Sequence, residues 1–276
     1  MFECVLNDIK LQRTPQYHLK MSIVAYFLSE YDMQAVKDLG YKSRAEAHRE
    51  ISAVFNVFGN YLKRRVDEFD ALPESHSNRR GQANREPSKS VVRMAEWLKP
   101  YGYQEFLDGI KQLLASEIIA RATDEDDDRI LNRINNTETS IPAGAAHRGE
   151  KKPAPALSER NGRKYYEHDE GVSSNALSYA NFKCEINPEH LTFLRRRTEQ
   201  FYTEAHHLVP MSKQGAFEVS LDVEENVVSL CSNCHNEIHY GKYANKLIES
   251  LYEKRKSELE AVGIIISLED LLKLYR

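Results

Sequence analysis

A pair of cysteines in a histidine-rich region constrains this 276-residue sequence most strongly. Cys231 and Cys234 are separated by two residues, a spacing that lets both thiolates bind one tetrahedral zinc ion from a tight turn. Cys184 is the expected third ligand and His190 the best candidate for the fourth, with Asp, Glu or water as alternatives. Because the N-terminal sequence shows no export signal, this pattern predicts a structural Zn²⁺ site rather than disulfides.

Four histidines in the same region indicate a second metal site. One pair lies four residues apart in a predicted helix, so both imidazoles share a face. The other pair is adjacent, on a strand predicted over 201–208, and a second strand is predicted around 227–230. The local order is therefore strand, loop, strand, helix. The four residues are His206, His207, His235 and His239.

This arrangement resembles the HNH nuclease family, whose core is a ββα-metal fold. The resemblance rests on EAHHLVP at 204–210, on Asn226 within ENVVSLC, and on CSNCHNEIH at 231–239. It covers about 60 residues within 180–245 closely and extends through trailing helices, where Ser267 and Asp270 are candidate caps of the last one. Many members of this family carry a flanking zinc site.

The resemblance implies metal-dependent hydrolysis of phosphodiester bonds. His207 is the expected general base that activates water, and Asn226 is expected to orient it by fixing the loop between the strands. The expected ligands of a divalent cation, Mg²⁺, Mn²⁺ or Ni²⁺, are His206, His235 and His239.

Whether His206 is a metal ligand depends on the local geometry of its strand. Neighbouring residues on a regular strand point to opposite faces, so His206 and His207 serve one site only if the strand end twists or bulges. Otherwise His206 is structural. Glu204 is a candidate to orient one of the histidines.

Residues 1–123 are expected to form a helical domain that binds DNA or a partner. Apolar residues recur there at helical spacing, and a break at 56–59 separates two helices in a layout like a helix-turn-helix. Segment 79–93 carries five basic residues and one acidic residue, although a solvated surface is the alternative reading. The candidate DNA-binding residues, two of them just before the first strand, are Arg64, Arg65, Arg79, Arg80, Arg85, Arg195 and Arg196.

Residues 124–175 are expected to be an acidic, low-complexity linker before the nuclease domain at 176–276. The run DEDDD at 124–128 is expected to stay solvated rather than bind a metal. Residues 134–172 are rich in Pro, Gly, Ser and charge. The predicted fold class is therefore α+β and mostly helical, with a helix-turn-helix-like domain, a linker, and a ββα-metal domain with structural zinc and trailing helices.

The net charge of −4, from 38 basic and 42 acidic residues, argues at first against a nucleic-acid enzyme. The acidic run at 124–128 accounts for this deficit, so local patches matter more than the total. No apolar stretch reaches the ~18 residues that a membrane span needs. The N-terminus lacks the basic start and apolar run of an export signal, so the expected location is the cytoplasm.

The expected function is a metal-dependent DNA endonuclease, and the resemblance favours bacterial restriction or anti-phage defence. The alternatives are a phage, mobile-element or repair nuclease, and a non-catalytic zinc-stabilised DNA-binding protein. A partner defence protein is an alternative target of the N-terminal domain. A homodimer is a further expectation, because a single HNH site cuts one strand.

Overall fold

The computed structural model describes residues 1–8, 11, 14–73, 85–136, 141–160 and 163–275. The chain forms two compact units, Met1–Ile118 and Ile119–Arg276. The first is helical, and the second combines helices with two small antiparallel sheets. None of the described helices has both the length and the apolar character that crossing a bilayer requires.

The first unit packs its helices around the long second helix. Ile23 and Phe27 of this helix are fully buried, as are Ile51, Leu62 and Phe106 from three other helices. The sixth helix begins in this unit and continues into the second. The helices are α1 (Glu3–Leu6), α2 (Gln16–Asp38), α3 (Arg44–Val54), α4 (Tyr61–Phe69), α5 (Lys89–Leu98) and α6 (Tyr103–Asn136).

Local sequence signals set the helix ends in this unit. Gly40 follows α2 with a φ of 90°, a conformation that glycine adopts without strain, and the next amide, Tyr41 N–H, donates to Val36 O at 3.0 Å. Ser43 caps α3 by accepting a hydrogen bond from Glu46 N–H at 3.2 Å. Helices α3 and α4 lie on either side of residues 55–60.

The acidic run at 124–128 lies inside α6 rather than in a linker. One face of a helix can be buried while the other is exposed, and Asp126 is only 2% exposed. Its carboxylate is paired with Arg129 and lies 3.1 Å from Nη1 of Arg160. The expectation that these acids all stay solvated is therefore wrong at Asp126, whose charge is balanced by two arginines.

The described residues of the second unit form two small antiparallel sheets, four further α-helices and two short 3₁₀ helices, Met211–Ala216 and Glu224–Asn226. Within the range expected to be a linker, residues 158–160 and 163–165 form paired strands, and a helix begins at Glu170. The elements are β1 (Ser158–Arg160), β2 (Arg163–Tyr165), α7 (Glu170–Tyr179), β3 (Glu204–His207), β4 (Val227–Leu230), α8 (Ser232–Tyr240), α9 (Ala244–Ala261) and α10 (Leu268–Leu274).

Strands β3 and β4 and helix α8 form the predicted ββα unit. The strands are antiparallel, with His207 opposite Val227, and both are buried along their whole length. Cys231 caps α8, since its Sγ accepts a hydrogen bond from Cys234 N–H at 3.5 Å. Buried residues of α9 and α10 complete the core behind this unit. The mostly helical α+β fold and the C-terminal ββα order are thus confirmed.

Candidate active site

The structure brings the four predicted zinc ligands together. Their donor atoms all lie within 4.8 Å of one another, and His190 Nδ1 lies 3.5 Å from Cys231 Sγ and 3.4 Å from Cys234 Sγ. A sulfur and a nitrogen bound to one tetrahedral zinc ion are separated by about 3.5 Å. The donor set Cys184, His190, Cys231 and Cys234 therefore fits a closed zinc site, with His190 in the fourth position.

The surroundings of Cys184 favour its thiolate form. Burial alone would raise the pKa of this thiol, but hydrogen bonds from the backbone N–H groups of Asn187, Cys231 and Ile186 lower the pKa to about 7. Zinc binds the thiolate rather than the thiol. The local fold therefore supplies a ligand that is ready to bind a cation.

A second group of donors consists of His206 from β3 and His235 and His239 from α8, again within 4.8 Å of one another. Nε2 of His235 lies 3.2 Å from Nε2 of His239. This separation fits two nitrogens on one cation, since bonds of about 2.0–2.1 Å at a tetrahedral angle place them about 3.3 Å apart. We call this group the three-histidine site.

Two neighbouring side chains hold this site in place. Glu204 lies 2.5 Å from Nδ1 of His235 and accepts a further hydrogen bond from Ser232 at 2.8 Å. The Tyr275 hydroxyl lies 2.9 Å from Nε2 of His206. A carboxylate on one imidazole nitrogen leaves the other nitrogen to face a metal, which is the role suggested for Glu204 by sequence.

The electrostatics favour neutral imidazoles at this site. Burial, followed by the charges of His235 and His239, lowers the pKa of His206 well below its ordinary value. Burial and His235 lower the pKa of His239. Imidazole binds a cation only when it is unprotonated, so these shifts suit metal ligands.

His207 lies in a different group from His206. Its Nε2 is 3.0 Å from Asp222 Oδ1, and its Nδ1 is 3.6 Å from Asp127 Oδ1. His168 lies beside it, with a ring-centroid distance of 5.2 Å. The two adjacent histidines of β3 thus serve two neighbouring groups, as strand alternation allows.

The charge of His207 follows from these carboxylates. Burial opposes the charged imidazole, but Asp127 and Asp222 outweigh this effect and raise the pKa of His207 to about 10. Burial, with the charge of His207, lowers the pKa of His168 to about 4. The two carboxylates therefore favour the charged form of His207, and burial favours the neutral form of His168.

Asn226 ties the connection between β3 and β4 together. It is fully buried, and its side-chain N–H groups donate to Val209 O at 2.9 Å and Leu221 O at 2.8 Å. Its Oδ1 accepts from Val209 N–H at 2.8 Å. These bonds fix the backbone immediately after His207, which is the geometry that the family resemblance implies.

Three residues around His207 were not found by sequence reasoning: Asp127, His168 and Asp222. Asp127 lies in the acidic run, and Asp222 comes four residues before Asn226. The helical periodicity of α6 was the available signal for Asp127, since the buried, apolar Ile130 lies three residues on and therefore on the same helix face. His168 carries no signal of its own in the sequence.

The candidate DNA-binding arginines fall into different environments. Arg64, Arg85 and Arg196 are exposed. Arg65 pairs with Glu68 at 2.5 Å.

Arg195 is only 4% exposed, and its guanidinium lies over the ring of Phe182, so it does not reach the surface as a phosphate contact must. Arg79 and Arg80 lie outside the described residues.

Comparison with known proteins identifies similarity in this region. Residues 196–241 match the family described as HNH endonuclease. Over 144 residues the chain is 32% identical to "Type IV methyl-directed restriction enzyme EcoKMcrA" of Escherichia coli (strain K12). The alignment covers 51% of this chain and 47% of the relative, so the chain spans about half the length of the curated relative it matches. No solved structure gives a significant match.

Proposed function

We propose, from the premise that this chain contains an HNH endonuclease domain at 196–241, that it is a metal-dependent DNA endonuclease of restriction type. One observation carries the proposal. The three-histidine site and His207 lie on the same ββα unit, and each is oriented by its own carboxylate, Glu204 for His235 and Asp222 for His207. Rigid support of this kind is typical of a catalytic group rather than of incidental histidines.

The three-histidine site would hold the divalent cation, Mg²⁺, Mn²⁺ or Ni²⁺. When bound, the cation supplies positive charge to the attacked phosphate and to the leaving oxygen. His206, His235 and His239 leave coordination positions open, because a set of three protein ligands does not close a metal site. The four-ligand zinc site is closed by comparison, and we assign it a structural role.

His207 would take the proton from the attacking water. Asp222 fixes its ring through Nε2, so Nδ1 is the nitrogen that accepts the proton. A base must be neutral, and positive charge at the adjacent three-histidine site favours the neutral imidazole over the charged one. Asn226 acts as a positioning residue, since its hydrogen bonds to Val209 and Leu221 hold the backbone that follows His207.

The substrate follows from the relative and from the charge distribution. The printed name of the relative describes a methyl-directed restriction enzyme, and we propose methylated duplex DNA as the substrate of this chain. The exposed Arg64 on α4, together with Arg85, supports DNA binding by the helical first unit. Cleavage of both strands would require a homodimer or two encounters.

Plasmid cleavage tests this proposal directly. The purified chain is incubated with methylated and unmethylated plasmid and with Mg²⁺, Mn²⁺ or Ni²⁺, and the ends are sequenced. We expect metal-dependent conversion of supercoiled methylated plasmid to nicked and linear forms. DNA binding without cleavage under every metal would instead favour the non-catalytic zinc-stabilised protein.

A further inference from the structure

The group around His207 has the composition of a metal site of its own. Asp127, His168 and His207 each offer a donor atom, and these atoms lie within 4.8 Å of one another. Two imidazoles and one carboxylate are a common ligand set for zinc and other first-row transition cations. None of the three belongs to the three-histidine site or to the closed zinc site.

The distances from the Asp127 carboxylate to the two imidazole nitrogens are too long for hydrogen bonds but suit ligands of one cation. Oδ1 of Asp127 lies 3.7 Å from His168 Nε2 and 3.6 Å from His207 Nδ1. Both distances exceed the usual range of a hydrogen bond. They are close to the roughly 3.3 Å that separates ligands on a tetrahedral cation with bonds of about 2.0–2.1 Å.

The two imidazole nitrogens that face Asp127 are buried and unsatisfied. Neither His168 Nε2 nor His207 Nδ1 has a hydrogen-bond partner among the residues that the structure describes. The side chains of His168 and His207 are 0% and 2% exposed. Buried polar atoms are rarely left without a partner, so an unsatisfied pair aimed at one carboxylate points to a missing ligand.

The outer nitrogen of each imidazole is already occupied by a carboxylate. Nδ1 of His168 lies 3.4 Å from Asp126 Oδ2, and Nε2 of His207 lies 3.0 Å from Asp222 Oδ1. This carboxylate–histidine arrangement directs the lone pair of the inner nitrogen at a metal and is the usual support of histidine ligands. It occurs here twice around the same point.

Solvent can reach this point. The Asp127 side chain is 35% exposed, and a cleft of about 540 Å³ is lined in part by His168 and Asp222. The exposed part of Asp127 therefore gives a cation access to the group, while the two histidines are enclosed.

We propose that Asp127, His168 and His207 bind a divalent transition-metal cation, for which Zn²⁺ is the probe, and that this cation inhibits DNA cleavage. The inhibitory part rests on the proposed function. A cation on Nδ1 of His207 occupies the lone pair that must accept the proton from water. At a low zinc concentration His207 would then be available as the base. At a high zinc concentration the bound cation would prevent His207 from accepting the proton.

Zinc binding is measured first, by native mass spectrometry of the full chain titrated with zinc acetate. We expect His168→Gln and Asp127→Asn to bind one zinc ion fewer than the wild type. The second variant replaces a partly exposed side chain with one of the same shape, so it tests the site even if His168→Gln fails to fold. His147→Gln is the matched control, because His147 lies between Arg255 and Glu258 and not in this group. Equal zinc content in all four proteins would overturn the site.

Inhibition is measured as the ratio of plasmid cleavage rates with and without zinc, at constant Mg²⁺ or Mn²⁺. We expect His168→Gln and Asp127→Asn to need at least about tenfold more zinc for half-inhibition, the scale on which disturbing a metal site lowers its affinity. Loss of one zinc ion with unchanged inhibition would overturn the inhibitory role alone. Absence of cleavage in the wild type would contradict the proposed function, whereas the zinc count would still decide whether the site exists.

Discussion

The Tyr275 hydroxyl lies 2.9 Å from Nε2 of His206 and donates a hydrogen bond to Leu208 O at 2.7 Å. The residue that follows α10 thus orients a histidine on β3. Because Tyr275 O–H donates to the carbonyl, the His206 nitrogen donates to Tyr275, and the other nitrogen of the ring is free to bind a cation.

Tyr275→Phe should weaken cation binding at the three-histidine site while keeping the fold, because the ring stays and only the hydroxyl is lost. We expect the Mn²⁺ concentration for half-maximal plasmid cleavage to rise about tenfold, as is typical for removing an outer-shell partner. Tyr243→Phe is the control, since Tyr243 is 53% exposed. An unchanged Mn²⁺ dependence in Tyr275→Phe would rule out this orienting role.

Asn226→Ala should destabilise the second unit. It leaves Val209 N–H, Val209 O and Leu221 O without their side-chain partner in a buried position. Each buried unsatisfied group costs about 1–3 kcal/mol, so we expect a loss of at least about 3 kcal/mol in the free energy of unfolding. Urea denaturation followed by circular dichroism measures it, and a loss below about 1 kcal/mol would contradict the structure.

We expect Cys231→Ser to unfold the second unit, because a small ββα element that holds a structural metal commonly needs that metal to fold. The substitution removes a ligand and also replaces the sulfur that caps α8. We expect loss of one bound zinc ion and of the thermal transition of the second unit, measured by elemental analysis and calorimetry. Cys4→Ser, in the first unit, should change neither. A stable Cys231→Ser protein without zinc would show that the metal is dispensable for folding.

Neutralising the basic segment at 79–93 should show whether the first unit binds DNA or a partner protein. We expect Arg79→Ala, Arg80→Ala and Arg85→Ala together to weaken DNA binding and to reduce the slope of log affinity against log salt by about 0.9 for each lost phosphate contact. Arg49→Ala on α3 is the control. Unchanged affinity and slope in the triple variant would favour a partner protein as the target of this unit.

Two pairs among the candidate metal ligands were predictable because their spacing acts locally. Cys231 and Cys234 share one turn, and His235 and His239 share one helix face, so secondary structure alone brings each pair together. Asn226 was predictable from the resemblance to a known family. The first unit confirms the expected helices, while its helix-turn-helix role stays a prediction.

The surroundings of His207 could not be predicted in the same way. Asp127, His168 and Asp222 come from three separate segments, and only tertiary packing brings them to one point. A run of five acids is ordinarily solvated, and that rule failed because α6 continues through the run and buries one face. The burial of Arg195 could not be predicted either, because three consecutive arginines at 195–197 do not reveal which side chain packs inside the fold.

Plasmid cleavage by His207→Ala tests the central claim most directly. The variant removes the proposed base and keeps Asn226, the three-histidine site and the four-ligand zinc site, so DNA binding should match the wild type. Any zinc that is lost should be only the ion proposed at Asp127, His168 and His207. We predict that metal-loaded His207→Ala nicks methylated plasmid at least about 100-fold more slowly than the wild type, the lower end of the range for loss of a general base. Nicking by the purified variant at the wild-type rate would contradict the assignment.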